Sequence, residues 1–182
     1  MKHEIIAMND VKVIGIAKDI EFKKGQEECP KFWGVYFETL IKPVVMDGKA
    51  PNAQQKAAFE NHIGQYGVCT CKLEKRNCWK CAEEHMSKCE STFHYLIAGT
   101  YERGEVPEGM EVMALPDGKW LKFYFEGGMK AFQQQYQEIF TKWTPEHPEM
   151  DVKPDMSVEW YESGANIDAP DYQCGVMVHI PE

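Results

Sequence analysis

The two halves of this sequence carry the same order of predicted elements, and this internal repeat limits the fold more than any other feature. In each half a strand is followed by an amphipathic helix and then by two further strands. Apolar residues alternate in the strands and recur at helical spacing in the helices. The first half runs through 11–20, 30–41, 62–71 and 92–101, and the second through 110–125, 129–143, 157–161 and 173–180. Such a repeat predicts a fold built from two similar halves.

The fold class follows from how these elements can bury their apolar faces. We predict an α+β fold of duplicated β-α-β-β halves with pseudo-two-fold symmetry, in which antiparallel sheets carry helices packed on them. The first half spans about 1–104 and the second about 105–182, within a single domain that covers all 182 residues. A central groove between such halves is where a small ligand is expected to bind.

Prolines and a glycine mark predicted breaks in these elements. Pro30 occupies a suitable first position for the first helix, and Pro43 is expected to stop it. Pro145 and Pro148 are expected to end the second helix in the same way. Gly15 predicts a bulge in the first strand.

Composition and charge narrow the class of protein. With 43% hydrophobic and 27% charged residues, the chain has the composition of a soluble globular protein. The net charge of −9 argues against direct nucleic-acid binding, because phosphate backbones require clustered lysine and arginine. No apolar run is long enough to span a membrane, and the first residues lack the pattern of a secretory signal. We therefore expect a cytoplasmic protein with no membrane partner.

Cysteines are concentrated in one segment. Five of the seven lie between Cys69 and Cys89, within a cysteine-rich insertion at about 69–91. Closely spaced thiolates can surround one tetrahedral zinc ion and so stabilise such an insertion. The predicted ligands are Cys69, Cys71, Cys78 and Cys81, with Cys89 or His85 as substitutes. Reduced thiols without metal, or a redox-active pair, are the alternatives.

One short strand contains a carboxylate in an unusual place. The segment Ser157–Tyr161 is rich in β-branched and aromatic residues, which predicts a strand. Because successive side chains of a strand point to opposite faces, Glu159 and Tyr161 share one face and Trp160 lies on the other. Glu159 therefore lies either at the floor of an aromatic groove, where it meets a ligand, or on a solvated face.

A series of short motifs between about Val11 and Pro181 has the order and spacing of one known family. They are Val13-Ile14-Gly15-Ile16, Phe32-Trp33, Ile63–Val68, Phe93–Gly99, Leu115–Trp120, Tyr136–Trp143 before Thr144-Pro145, and Val158-Glu159-Trp160-Tyr161. The chain resembles the GyrI-like, or bacterial effector-binding, domain, which also forms the ligand-sensing half of many AraC-type and MerR-type transcription regulators. The cysteine-rich insertion departs from the family, whose corresponding connection is short.

The resemblance implies the duplicated fold, the central groove and Glu159 as the acid that meets the ligand. Family members bind hydrophobic, often cationic or planar compounds. This chain lacks the DNA-binding helix-turn-helix of the regulators and so resembles the stand-alone members. Some of these are linked to toxin resistance, including resistance to gyrase poisons, and a subset hydrolyses cyclopropane rings of DNA-alkylating natural products.

We therefore predict a stand-alone small-molecule binding protein for hydrophobic, cationic effectors or drugs, with no cofactor required for binding. Aromatic walls would bind such ligands by apolar burial and cation–π attraction. The predicted ligand contacts are Glu159, Tyr161, Trp33, Phe37, Tyr66, Tyr95, Trp120 and Tyr124. One alternative is a cyclopropanoid hydrolase with Glu159 as general acid/base and Tyr161 orienting the water. Another is an inhibitor protein that binds gyrase. The sequence leaves enzyme and binding protein open.

Overall fold

The structure, a computed structural model, describes residues 1–71, 92–150, 152, 156–163, 167, 169 and 171–180, and only the backbone of residue 71. The strands of this part are β1 Lys2–Met8, β2 Lys12–Glu21, β3 Tyr66–Cys71, β4 Thr92–Thr100, β5 Glu111–Ala114, β6 Gly118–Tyr124, β7 Met156–Tyr161 and β8 Cys174–Ile180. The α-helices are α1 Gly25–Tyr36, α2 Lys42–Val45, α3 Ala53–Glu60, α4 Phe132–Glu138 and α5 Thr144–Glu146.

The chain divides into two compact units. The internal unit consists of Lys12–Ala114, and the terminal unit of Met1–Val11 together with Leu115–Glu182. Each contains a strand, a helix and two further strands in that order, with the helix packed on antiparallel strands. The predicted α+β fold with its duplicated β-α-β-β order is therefore confirmed.

The sheet of the internal unit has the order β3-β4-β2-β5, and all its pairings are antiparallel. Residues 13–21 of β2 pair with residues 92–100 of β4 in an unbroken register, so the predicted bulge at Gly15 is wrong. A Cβ atom at Gly15 would lie 1.9 Å from the carbonyl oxygen of Ile97. Glycine is required here by the close approach of two backbones.

The sheet of the terminal unit has the order β1-β6-β8-β7, again antiparallel throughout. Strand β1, which the sequence did not predict, pairs with β6 over its whole length, from Lys2 opposite Tyr124 to Met8 opposite Gly118. Most of its side chains are exposed. An exposed strand has no buried face and therefore gives little apolar alternation to recognise.

The strand that comes directly before each repeat in the chain does not pair with that repeat, but with the first strand of the other one. Strand β1 precedes β2 in the chain but pairs with β6, and β5 precedes β6 but pairs with β2. The single interrupted strand predicted at 110–125 is thus two strands in two different units. For the same reason the units differ from the predicted halves, about 1–104 and 105–182, at β1 and β5.

Both principal helices continue through a wide turn instead of stopping at proline. A π-helical turn follows α1 at Phe37–Ile41 and α4 at Ile139–Trp143, and each leads into a short α-helix whose second residue is proline. Proline cannot donate a backbone hydrogen bond and its ring crowds the carbonyl four residues earlier, which a wider turn relieves. Pro43 and Pro145 therefore do not end the helical path as predicted. Pro30 lies inside α1, which begins five residues earlier than predicted.

The carbonyl group that Pro43 leaves without a helical donor has another partner. Thr39 lies four residues before Pro43, and its carbonyl oxygen accepts a 2.9 Å hydrogen bond from Nε2 of Gln55. Gln55 is buried, and it also forms a capping box with Asn52 at the start of α3. One glutamine side chain thus donates a hydrogen bond to a carbonyl in the widened turn of the first helical segment and also caps the beginning of α3.

Each unit has its own apolar core. In the internal unit, Phe32, Tyr36 and Leu40 of the first helical segment pack against strand residues such as Phe93 and Ile97. The terminal core is formed in the same way, and its buried members are Leu121, Phe123, Phe125, Phe132, Ile139, Trp143, Tyr172, Cys174, Val176 and Val178.

Candidate functional site

Strand β7 places Glu159 on the side of the terminal sheet that faces the core. Glu159 is half-buried and lies opposite Val176 of β8, which is fully buried. Paired residues of neighbouring strands point to the same face, so the carboxylate stands beside an aliphatic core side chain. This placement differs from the solvated strand face that was the alternative interpretation.

Glu159 is held by its neighbour on the same face. The hydroxyl group of Tyr161 donates a hydrogen bond of 2.8 Å to Oε2 of Glu159. A hydroxyl donor to a carboxylate is a charge-assisted contact, which is stronger than one between neutral groups. The contact restrains the acid in one orientation, and it confirms that the two side chains share a face.

A run of nearly parallel aromatic rings lies next to this pair. Phe132 of α4 stacks on Tyr161, with ring centroids 5.6 Å apart and planes 25° apart, and on Tyr136 at 6.3 Å and 23°. The Tyr136 hydroxyl lies 3.0 Å from Oγ of Ser157, two residues before Glu159. Phe132 and Tyr136 are four residues apart and hence on one side of the helix. We call Glu159, Tyr161, Phe132, Tyr136 and Ser157 the acid-aromatic cluster.

A thiol beside this cluster is kept neutral. Cys174 lies opposite Tyr161 in the β7–β8 pairing and is buried. Burial raises the pKa of Cys174 to about 11. The side chain therefore remains a protonated, weakly polar neighbour of Tyr161 at neutral pH.

Two predicted ligand contacts of the terminal unit lie on the other face of its sheet. Tyr124 aligns through Gly175 with Trp160, and their rings meet edge to face at 5.2 Å. Lys122 places its Nζ 4.5 Å from the Trp160 ring centroid. Trp120, on the same face as Tyr124, is fully buried and donates its indole N–H to the carbonyl of Pro116. Of the residues predicted in this unit, only Tyr161 joins Glu159.

Of the ligand contacts predicted in the internal unit, Trp33 and Tyr95 lie together and the other two lie elsewhere. The indole N–H of Trp33 donates a hydrogen bond of 2.9 Å to the Tyr95 hydroxyl oxygen. Tyr95 is almost fully buried, however, and Phe37 is 43% exposed on the outside of its helical turn. Tyr66 lies on the sheet face opposite to Tyr95, as the β3–β4 register shows. Their roles as ligand contacts, and the central groove, remain predictions.

The metal prediction falls mostly outside the described residues. Cys78, Cys81, Cys89 and His85, and the side chain of Cys71, are not described, whereas Cys69 is partly buried against the internal core. Among the residues that are described, no three histidine, cysteine or acidic side chains are grouped closely enough to hold a metal ion. The zinc site stays a prediction.

Sequence reasoning found the acid and its tyrosine but missed Phe132, Tyr136 and Ser157 as their neighbours. The helical stripe of the second half contains Phe132 and Tyr136, so their shared face was predictable. That this face packs over β7 is a tertiary fact with no local signal.

The helices of the described part include none that is long and apolar enough to cross a membrane.

Comparison with known proteins gives one family and several structures. The model of the family described as Cass2, integron-associated effector binding protein, matches residues 27–173. No curated protein matches the chain.

Three solved structures share the fold at low sequence identity. SAV2435, solved bound to tetraphenylphosphonium, has a TM-score of 0.68 and 18% identity over 98% of this chain and 93% of that one. A protein from Staphylococcus aureus MU50 described as a bacterial transcription regulation protein has a TM-score of 0.66 and 19% identity over 98% of this chain and 97% of that one. Integron cassette protein VCH_CASS2 from the mobile metagenome of Vibrio cholerae has a TM-score of 0.52 and 11% identity over 98% of this chain and 95% of that one. At such identities these likenesses establish the fold alone.

Proposed function

Because the chain belongs to the family of integron-associated effector-binding proteins, a GyrI-like class, we propose that it binds a hydrophobic organic cation at the acid-aromatic cluster. The observation that carries the proposal is the Glu159 carboxylate, held by Tyr161 on the core-facing side of β7 beside the stacked ring of Phe132. A carboxylate beside aromatic rings combines negative charge with apolar surface, which is the combination that a hydrophobic cation requires.

Charge and apolar area act together at such a cluster. Tyr136 and Tyr161 are half-buried and offer apolar surface and an electron-rich quadrupole, which attracts cations that are weakly hydrated, while Phe132 is buried and packs against both rings. Glu159 supplies a full negative charge in surroundings that screen it less than water does. The net charge of −9 raises the local concentration of cations around the molecule. A lipophilic monocation with several aryl groups would interact favourably with the aromatic rings, with the Glu159 carboxylate and with the overall negative charge.

The experiment that tests the proposal compares a cation with a neutral compound of similar shape. Binding of tetraphenylphosphonium and of uncharged triphenylphosphine oxide would be measured by isothermal titration calorimetry. The choice of cation is supported by SAV2435, a protein of the same fold that was solved with it. The variant is Glu159→Gln, which keeps the shape of the side chain and removes its charge.

The matched control is Glu146→Gln in α5, which removes one exposed carboxylate and changes the net charge equally. We expect Glu159→Gln to weaken tetraphenylphosphonium binding about tenfold, equivalent to about 1.4 kcal/mol, and to leave the neutral compound almost unaffected. Glu146→Gln should change neither affinity appreciably. Equal losses in the two variants would mean that only overall charge matters, and the proposed site would be rejected.

Hydrolysis is a second candidate that the same geometry supports. An acid with a hydrogen-bonded tyrosine could activate or orient a water molecule against a strained ring. Incubation with a cyclopropane-bearing alkylator distinguishes the two functions: product that depends on Glu159 indicates an enzyme, and binding without product indicates a sensor or sequestering protein. Roles in transcription regulation and toxin resistance, and a gyrase partner, stay predictions.

A further inference from the structure

A histidine of the internal unit is held between two carboxylates from two different strands. His94 of β4 has Nδ1 at 2.8 Å from Oδ1 of Asp19 in β2, and Nε2 at 2.5 Å from Oε1 of Glu111 in β5. The imidazole is mostly buried, with 21% of the side chain exposed. Strand β5 is not a neighbour of β4 in the sheet, so the Glu111 side chain reaches His94 across β2.

Small residues make this reach feasible. On this face of the sheet, the positions of β2 before Asp19 are Gly15 and Ala17, and Gly15 pairs directly with Glu111. A Cβ atom at Gly15 would collide with the backbone of Ile97 and Ala98, and a side chain larger than that of Ala17 would occupy the space above β2. The path from Glu111 to His94 is therefore built into the sequence of the strand between them.

The contacts determine the protonation state. An ionised carboxylate only accepts hydrogen bonds, and a neutral imidazole has a single N–H to donate. Both contacts can be hydrogen bonds only when both ring nitrogens carry a proton, as in the imidazolium ion. Burial by itself lowers the pKa of His94, but the hydrogen bonds that its ring donates to Asp19 and Glu111 outweigh burial and raise the pKa above its ordinary value of 6.5.

We propose that protonated His94 fastens the short strand β5 to the sheet of the internal unit, and that loss of the proton releases β5. Strand β5 has only four residues, Glu111–Ala114, and among the strands that the structure describes it pairs with β2 alone. The contact between Glu111 and His94 adds to the four backbone pairings that hold β5 against β2. The chain passes from Ala114 of β5 directly to Leu115, where the terminal unit resumes.

The neighbouring groups favour the charged form of His94. On the same face of the adjoining strands, β2 contributes Asp19 and Glu21, β5 contributes Glu111, and β3 contributes the uncharged Thr70. Glu21 is already paired with lysines at positions 23 and 24. Because the folded pKa is raised, the contribution to stability is complete below pH 6.5 and is lost as the pH rises through the folded value.

Hydrogen exchange of β5 tests the proposal. Protection factors of the amides at 111–114, corrected for the intrinsic exchange rate, would be measured on the whole protein at about pH 5.5 and about pH 8.5. Strand β1, which ends the strand order of the terminal sheet, is the internal reference. The variant is Glu111→Gln, and its matched control is Glu105→Gln, which removes an exposed carboxylate of the same unit.

We expect protection at 111–114 to fall about fivefold at the higher pH in the unaltered protein and in Glu105→Gln, while β1 does not respond. In Glu111→Gln protection should be low at both values. A pH response that persists in Glu111→Gln, that is absent in the unaltered protein, or that is equally large in β1 would overturn the proposal.

Discussion

At the scale of single residues, the candidate site depends on two side chains that lie two positions apart in one strand. Alternation along β7 directs Glu159 and Tyr161 to the core-facing side and Trp160 to the other. The hydroxyl of Tyr161 then orients the carboxylate, and Phe132 covers the tyrosine ring. A preorganised acid loses less freedom when it binds a cation than an unrestrained one does.

The substitution Tyr161→Phe measures the contribution of that preorganisation. The phenyl ring can still stack on Phe132, but the hydrogen bond to Glu159 is lost. We expect tetraphenylphosphonium affinity to fall about threefold to fivefold and the free energy of unfolding to fall by about 1 kcal/mol. Calorimetric titration and urea unfolding measure the two effects.

A matched control for this change lies on the opposite face of the sheet. Tyr124→Phe removes a hydroxyl group that donates to Glu4 and leaves the acid-aromatic cluster intact. Its affinity for the cation should equal that of the unaltered protein. A weaker Tyr124→Phe together with an unaffected Tyr161→Phe would place the ligand on the wrong side of the sheet for our account.

Alternation along a strand predicted correctly which side chains share a face, but residue type did not predict which aromatic rings are buried. The shared face of Glu159 and Tyr161 follows from a period of two residues, which needs no tertiary information. Trp120 was predicted as a ligand contact because large aromatic rings suit planar compounds, yet it is fully buried. Whether an aromatic ring packs in a core or lines a site depends on which elements cover it, and that is decided by long-range contacts.

At the scale of elements, both principal helices have a threonine hydroxyl bonded to the preceding turn where the helical path continues through a proline. Thr39 and Thr141 each lie four residues before a proline, and their hydroxyls donate to the carbonyls of Val35 and Gln137 at 2.7 and 2.9 Å. A threonine hydroxyl that bonds to the preceding turn bends and loosens a helix. The shared Thr-x-x-x-Pro spacing is a sequence signal of the internal repeat.

The substitution Gln55→Ala tests how the first of these widened turns is stabilised. It removes the donor to the Thr39 carbonyl and half of the capping box with Asn52. Loss of the hydrogen bond to the Thr39 carbonyl and a weakened cap together should lower the free energy of unfolding by about 2 kcal/mol. Chemical denaturation provides the measurement.

The neighbouring Gln54→Ala is the control, since Gln54 makes a single exposed hydrogen bond to the carbonyl of Glu108. It should cost less than about 0.5 kcal/mol. If the two variants proved equally stable, the Gln55 contact would not be what satisfies the widened turn.

Element type was predictable where a buried face exists and not where it does not. Phe32, Tyr36 and Leu40 recur at helical spacing and are buried in the structure, whereas Phe37 of the same helical path is 43% exposed. Strand β1 and the assignment of β5 and β6 to different sheets depend on partners that lie far away along the chain. Local patterning contains no information about such partners.

At the scale of the whole molecule, the duplication is visible in the topology of each unit. Both sheets have the same strand order. Each begins with the strand that precedes the other repeat in the chain, β1 in one sheet and β5 in the other, and continues with the first, third and second strands of its own repeat. The order of elements along the chain predicted the duplication. It could not predict the exchange of β1 and β5, because pairing is decided by the relative stability of alternative sheet partners.

The central claim is that a cation binds on the face of β7 that carries Glu159, and NMR titration with tetraphenylphosphonium tests it most directly. Carboxyl carbons of glutamate, tyrosine rings and tryptophan indole groups would be followed together in one sample. Glu159 and Trp160 are consecutive residues on opposite faces, and the Trp160 indole donates to the carbonyl of Phe123.

We predict that the Glu159 carboxyl carbon and the Tyr161 ring shift together in a saturable manner, while the Trp160 indole N–H changes little. A saturable shift of Trp160 with Glu159 and Tyr161 unmoved would contradict the account.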